Sequence, residues 1–171
     1  MIITQEIEIL LVEDNQFDIE LTLHALRHNA VANQIHVARD GEEAVDFIFC
    51  RGRYGARSFD SPPTIILLDL NLPKADGREV LRTIKSDERT KHVPVVMLTS
   101  SKEEKDLIES YNLSVNSYIQ KPVDFVQFLE TIRRLGLYWL VVNESAIPVA
   151  DQFQRRGGFT PSHGEINSPH L

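Results

Sequence analysis

"TIILLDLNLPKADG", Thr64 to Gly77, is the stretch that decides the fold. Ile65 to Leu68 are four apolar side chains in a row with no polar alternation, as in a parallel strand covered on both faces. Asp69 follows, an ionisable group placed where that strand must end. Past Gly77, Val80, Leu81 and Ile84 recur at helical spacing. Strand, carboxylate and helix make one βα unit.

The unit repeats along the chain. Strands are expected at Ile7–Val12, Gln34–Ala38, Thr64–Leu68, Val93–Leu98 and Ser117–Ile119. Between them, Ile19, Leu23, Leu26 and Ala30 mark one buried helix face, and Ala44, Phe47 and Ile48 another. Leu107, Ile108 and Tyr111 mark a fourth helix, and Phe125, Leu129 and Ile132 a fifth. Five strands, each followed by a helix, predict an α/β fold: a doubly wound five-stranded parallel sheet with an extended C-terminal segment. Gly52–Pro63 reads as a surface loop, with Arg53 and Arg57 in it and Arg51 just before it solvated, and Asn143–Leu171 as a tail with little core-forming power. His24 and His28 fit a solvated helix face, Cys50 a core or boundary thiol, Ser100 and Ser101 a loop.

Composition narrows the function. At 171 residues the chain suffices for one domain plus an extra segment. A single cysteine excludes a disulfide framework or a cysteine-rich zinc site. A net charge of −7 argues against general nucleic-acid binding, which needs excess Lys and Arg. Neither a signal-peptide pattern nor a membrane span is apparent, so a cytoplasmic location is expected.

In a doubly wound sheet, ligands bind beyond the carboxyl ends of the strands, where the strand order reverses. The first strand ends in Glu13 and Asp14, the third in Asp69, the fourth in Thr99, and the fifth in Lys121. Three carboxylates repel one another unless a cation compensates. Mg²⁺ suits them, because it takes one or two carboxylates together with water and an incoming phosphate. Lys121 then meets the remaining phosphoryl charge, and Thr99 donates a hydrogen bond. A carboxylate so placed also serves as a nucleophile that forms an acyl phosphate. Asp69 is the candidate for phosphorylation.

"ILLVEDN", "ILLDLNLPKADG", "VVMLTSS" and "YIQKP" resemble, in order and spacing, the receiver domains of two-component response regulators, from about Glu8 to Leu137. The resemblance implies a flavodoxin-like receiver domain over residues 1–142, followed by a tail at 143–171. It implies Asp69 as phosphoacceptor, and Mg²⁺ held by Asp14, Asp69 and the Asn71 carbonyl, with Glu13 acting through water. Lys121 would pair with phosphoryl oxygens while Thr99 shifts toward the phosphate and Tyr118 turns inward. Asn71 and Ser101 would line the path of the attacking water. "RGRYG", "SYNLSVNSYIQKPVDF" and "LYWLVV" are similar to stand-alone regulators partnered with phytochromes. The implied partner is therefore a sensor histidine kinase of phytochrome type. No DNA-binding output domain is expected after the fifth helix, so neither nucleic acid nor membrane is an expected partner.

Two other classes share part of the pattern. Aspartate-nucleophile phosphohydrolases also place an Asp at a strand end, but on the first core strand in a DxD sequence, where this chain has "DLN" on the third. A phosphorylation-independent binding module would keep the fold but has no need of Asp14, Asp69, Thr99 and Lys121 together. Finally, Phe128, Leu135, Trp139 and Val142 trace a second apolar stripe on the last helix, beyond the stripe assigned to the sheet. That surplus predicts a homodimer.

Overall fold

The computed structural model of the chain describes residues 7–28 and 34–137. Strands and helices alternate as β1 (Glu8–Val12), α1 (Gln16–His28), β2 (Gln34–Ala38), α2 (Gly41–Ile48) and β3 (Ile65–Asp69). They continue as α3 (Gly77–Ser86), β4 (Val95–Thr99), α4 (Lys102–Ser110), β5 (Ser117–Gln120) and α5 (Phe125–Arg134). The strands pair in parallel in the order β2-β1-β3-β4-β5. The order reverses between β1 and β3. This is the doubly wound architecture expected.

Side-chain alternation splits the core into two layers. Leu10, Val12, Ile66, Leu68, Val95 and Met97 pack with Phe47, Val80, Ile84 and Ile108 on one face. Ile9, Leu11, Ile65, Leu67, Val96, Leu98 and Ile119 pack with Ile19, Leu26, Phe128 and Ile132 on the other. Each fully buried Leu, Ile or Val contributes roughly 1.5–3 kcal/mol, so a one-residue slip of β3 would exchange two well-filled layers at large cost. That register, Val12 beside Leu68, carries the next residues, Glu13 and Asp69, to the sheet edge together.

Polar side chains fix where the helices begin. Asp40, Asp76, Ser101 and Asp124 each accept backbone N–H groups at the start of α2, α3, α4 and α5, worth about 1 kcal/mol apiece. Ser101 is therefore a helix cap rather than a plain loop residue. Strand β4 begins at Val95, two residues later than expected, because Pro94 has no N–H to give; its carbonyl still accepts from the Ile66 N–H at 2.9 Å.

Three expectations need correction. On α4 only Ile108 is buried, while Leu107 and Tyr111 are exposed. On α5 the core face is Phe128, Thr131 and Ile132, with Phe125 partly buried against it. Phe128 has no exposed surface, so it cannot serve the homodimer contact assigned to it. Apolar residues at 125, 128, 129, 132 and 135 span too wide an arc for periodicity to choose the inward face. Leu135 also packs partly against this core, and Trp139 and Val142 lie outside the described residues.

The third correction concerns the arginines. Arg57 reaches the Glu8 carboxylate with two hydrogen bonds, at 2.8 and 3.1 Å, and lies 3.6 Å from the Phe47 ring centroid. Arg53 pairs with Glu43, which also accepts from the Tyr54 hydroxyl at 2.7 Å. The loop is fastened to β1 and α2 rather than solvated throughout. His24 and His28 do stack on an exposed part of α1, and Cys50 is half-buried just past α2.

Candidate functional site

The site forms at the reversal point, from residues ending β1, β3, β4 and β5. Asp69 is the last residue of β3, and its backbone is crowded by the start of α3. A Cβ on Gly77 would lie 2.8 Å from Leu70 Cα and closer still to the Asp69 carbonyl oxygen, so only glycine fits there. The Gly77 N–H donates to the Leu70 carbonyl at 2.9 Å. These contacts hold the β3–α3 connection against the strand end and fix the Asp69 backbone. Lys121 is fixed in the same way, its N–H donating to the Thr99 carbonyl at 2.7 Å.

The side chains converge as the sequence predicts. Lys121 Nζ lies 3.1 Å from Glu13 Oε2 and 3.2 Å from Asp69 Oδ2. Ligand oxygens of Glu13, Asp14 and Asp69 all fall within 4.8 Å of one another. Glu13, Asp69 and Thr99 are buried, whereas Asp14 is exposed at the rim. Asn71 is also exposed, and its side chain turns away to Glu104. Tyr118 stands apart on β5, partly buried in the opposite core layer with Lys105 Nζ 5.4 Å from its ring centroid.

One participant escaped the sequence reading. Asp18, in the first turn of α1, places Oδ2 3.1 Å from Lys121 Nζ. An acidic residue in a first turn ordinarily complements the helix dipole, which is why it drew no notice. Its position one turn after Asp14, on the helix entered from the β1 edge, is the only signal it gives.

The electrostatics of the cluster suit a cation. Burial, and then the charge of Asp69, push the Glu13 carboxyl up to about 7, against the Asn15 N–H and Lys121. Burial also raises Asp69 despite the ammonium beside it. Burial alone would lower Lys121, but Asp69, Asp18 and Glu13 outweigh it and keep the ammonium protonated. Among the described residues, three carboxylates, Glu13, Asp18 and Asp69, pair with Lys121, and Asp14 adds a further charge at the rim. In addition, Asp69 Oδ1 is buried without a well-formed hydrogen bond among the described residues. An orphaned carboxylate oxygen costs folding free energy, and a hard divalent cation is the partner that satisfies it without displacing Lys121. The donor set, all carboxylate oxygen, fits Mg²⁺ or a similar ion.

Comparison with known proteins agrees with this geometry. The model of the response regulator receiver domain matches residues 9–133. The probable methanogenesis regulatory protein FilR2 of Methanothrix harundinacea is 41% identical over 140 residues, covering 82% of this chain and 88% of its own. Response regulator Rcp1 of Synechocystis sp. is 41% identical over 133 residues, covering 77% and 88%. Its Mn²⁺-bound crystal structure superposes with a TM-score of 0.62 at 39% identity, over 80% of this chain and 95% of that one. The bacteriophytochrome response regulator AtBRR superposes with a TM-score of 0.75 at 52% identity, over 79% and 96%. Among the described residues no helix is long and apolar enough to cross a membrane. With its buried Asp69 at the reversal point and the family match spanning all five strands, this chain belongs to the response regulator receiver domain family.

Proposed function

We propose that this protein is a single-domain response regulator that accepts a phosphoryl group on Asp69 from a sensor histidine kinase and signals through protein contacts in the cytoplasm. The observation that carries the reading is Asp69 itself. It is a buried carboxylate with Oδ2 on Lys121 and Oδ1 without a well-formed hydrogen bond among the described residues, inside an acidic cluster. Carboxylates perturbed by burial in this way cluster at functional sites.

The chemistry follows from the residues. A carboxylate oxygen of Asp69 forms a bond to phosphorus as the phosphorus–nitrogen bond of the donor phosphohistidine breaks, leaving the kinase imidazole. Lys121 is positioned to follow the phosphoryl oxygens, exchanging part of its contact with Asp69 for them. Asp14, Asp69 and the Asn71 carbonyl would hold Mg²⁺, with Glu13 acting through water, and the ion would supply positive charge to the phosphoryl oxygens when bound. Thr99, at the end of the adjacent strand, would then donate its hydroxyl to the phosphate, with Tyr118 responding on the next strand. Regulators of this family are signalling proteins rather than turnover enzymes, and reset comes from attack of water on the acyl phosphate.

A phytochrome-type kinase is the partner we infer, supported by the 52% identity to a bacteriophytochrome response regulator. The test is phosphotransfer from a purified, prephosphorylated phytochrome kinase, with the modified residue located by peptide mass spectrometry. Label on Asp69 supports the reading. Label from an unrelated kinase only would replace the partner, and no label from any donor would leave a phosphorylation-independent binding module. A homodimer through Leu135, Trp139 and Val142 also remains our proposal, now without the fully buried Phe128. Light scattering of Trp139→Glu, expected to halve the mass, checks it.

A further inference from the structure

Asp18 is built into the edge of the site by its neighbours on β1 and α1. The Asn15 N–H donates to Glu13 Oε1 at 3.1 Å, and Asn15 Oδ1 accepts from the Asp18 N–H at 3.1 Å. Asn15 thus caps α1 and places Asp18 at the third position of the helix. An acid at that position ordinarily turns back to the N–H of the cap. Here Glu13 has taken that N–H, and the Asp18 carboxylate turns inward instead, with Oδ2 3.1 Å from Lys121 Nζ. Gln16 and Phe17 beside it are exposed, whereas Asp18 is half-buried. An ammonium has three protons to give, and Glu13 Oε2, Asp18 Oδ2 and Asp69 Oδ2 accept those of Lys121 at 3.1, 3.1 and 3.2 Å. Among the described residues, Glu13 and Asp69 belong with Asp14 to the group whose oxygens suit a divalent ion, and Asp18 does not. A cation and a phosphoryl group therefore draw on two of the three lysine contacts and leave the third.

We propose that Asp18 is a positioning residue for phosphoryl transfer, anchoring the Lys121 ammonium while a cation and the phosphoryl group engage Glu13 and Asp69. The inference rests on the reading of Asp69 as phosphoacceptor. Lys121 carries its charge on a flexible four-carbon stem, and the bond from its N–H to the Thr99 carbonyl fixes only the root of that stem. A divalent cation at the cluster repels the ammonium, and without Asp18 the stem is free to swing out. With Asp18 in place, Nζ stays beside Asp69 and meets the phosphoryl oxygens as the bond from Asp69 to phosphorus forms. When acetyl phosphate is the donor, the bond from phosphorus to the acetate oxygen breaks in the same step, and acetate leaves with that electron pair.

The experiment follows phosphorylation of the full chain by acetyl phosphate with intact-mass spectrometry, at a Mg²⁺ concentration that saturates each variant. Asp18→Ala should slow the reaction about tenfold, the effect of one hydrogen bond between charged groups. Asp18→Asn, which keeps an acceptor but no charge, should lie between Asp18→Ala and wild type. A charge acting only through its field would give the opposite sign, since anionic acetyl phosphate approaches faster once a negative charge is removed. In a Lys121→Ala background, Asp18→Ala should cause no further slowing, because its effect passes through the lysine. Heteronuclear NMR of the lysine ammonium groups reads the anchor without turnover, whatever the rate of Lys121→Ala. With Mg²⁺ bound, wild type should keep a Lys121 signal protected from exchange, and Asp18→Ala should lose it. An unslowed Asp18→Ala, equal slowing in the Lys121→Ala background, or a Lys121 signal alike in both chains would overturn the anchor while leaving Asp69 as acceptor. A wild-type chain that takes up no phosphoryl group would overturn the acceptor reading and the anchor with it.

Discussion

Lys121 Nζ sits 3.2 Å from Asp69 Oδ2, joining residues 52 positions apart in the chain across β4 and β5. The same ammonium touches Glu13 and Asp18, so one cation tethers β1, α1, β3 and the end of β5 to a single point. The geometry of the acceptor and the stability of the sheet edge are thereby coupled. Several consequences can be measured.

In metal-free protein, Glu13 keeps its proton up to about pH 7, whereas its ordinary value is 4.5. Between these limits the folded chain binds a proton that the unfolded chain has lost. Stability is therefore fully present below about pH 4.5 and falls as pH rises through 7, by on the order of 3 kcal/mol. Saturating Mg²⁺ should restore stability at pH 8 and flatten the profile. Urea midpoints at pH 5 and pH 8, with chelator and with Mg²⁺, check this; profiles unaffected by the metal would contradict it.

Gly77→Ala should disturb the acceptor without touching it. The added methyl meets the Asp69 carbonyl and Leu70 Cα, and the backbone must shift. A cost of about 1–3 kcal/mol is expected, with weaker Mg²⁺ binding as Asp69 is displaced. Denaturation and calorimetric titration read the two effects separately.

Phe128→Ala should cost about 3–5 kcal/mol, because a fully buried ring leaves a cavity between α5 and the sheet. Val126→Ala, two residues earlier and 73% exposed, should change stability by no more than about 0.5 kcal/mol. Equal, small effects on denaturation at both positions would return Phe128 to the surface.

Arg57→Lys should not rescue what Arg57→Ala loses. The guanidinium makes a two-pronged pair with Glu8 and stacks on Phe47, and an ammonium can do neither in that geometry. Both variants should lower the thermal midpoint, by a loss of about 1–3 kcal/mol for this half-buried pair.

Legibility in the sequence followed how local each cause is. Asp69, Glu13, Asp14 and Lys121 could be found because each closes an apolar run, and parallel strands bring their ends to one edge. Asp18 could not, since its partner Lys121 lies 103 residues away and its local setting is that of any first-turn acid. The Arg57–Glu8 pair hid for the same reason, 49 residues apart in a loop with no period. On α5, Phe128 and Leu129 are equally apolar neighbours, and only packing against Ile19 and Leu26 in the same layer selects Phe128. Thr131 is buried on that face because its hydroxyl is satisfied by the Gln127 carbonyl at 2.9 Å, which no hydrophobic pattern records.

The central claim is that Asp69 is the phosphoacceptor, and one comparison tests it most directly. Wild type and Asp69→Asn are incubated with acetyl phosphate and Mg²⁺, then weighed by intact-mass spectrometry. Asparagine keeps the shape of the side chain but loses the nucleophilic oxygen and the charge that holds Lys121. The account predicts a species one phosphoryl group heavier in wild type and none in the variant, whose circular dichroism stays that of the folded protein. An undiminished phosphorylated species in Asp69→Asn would contradict it.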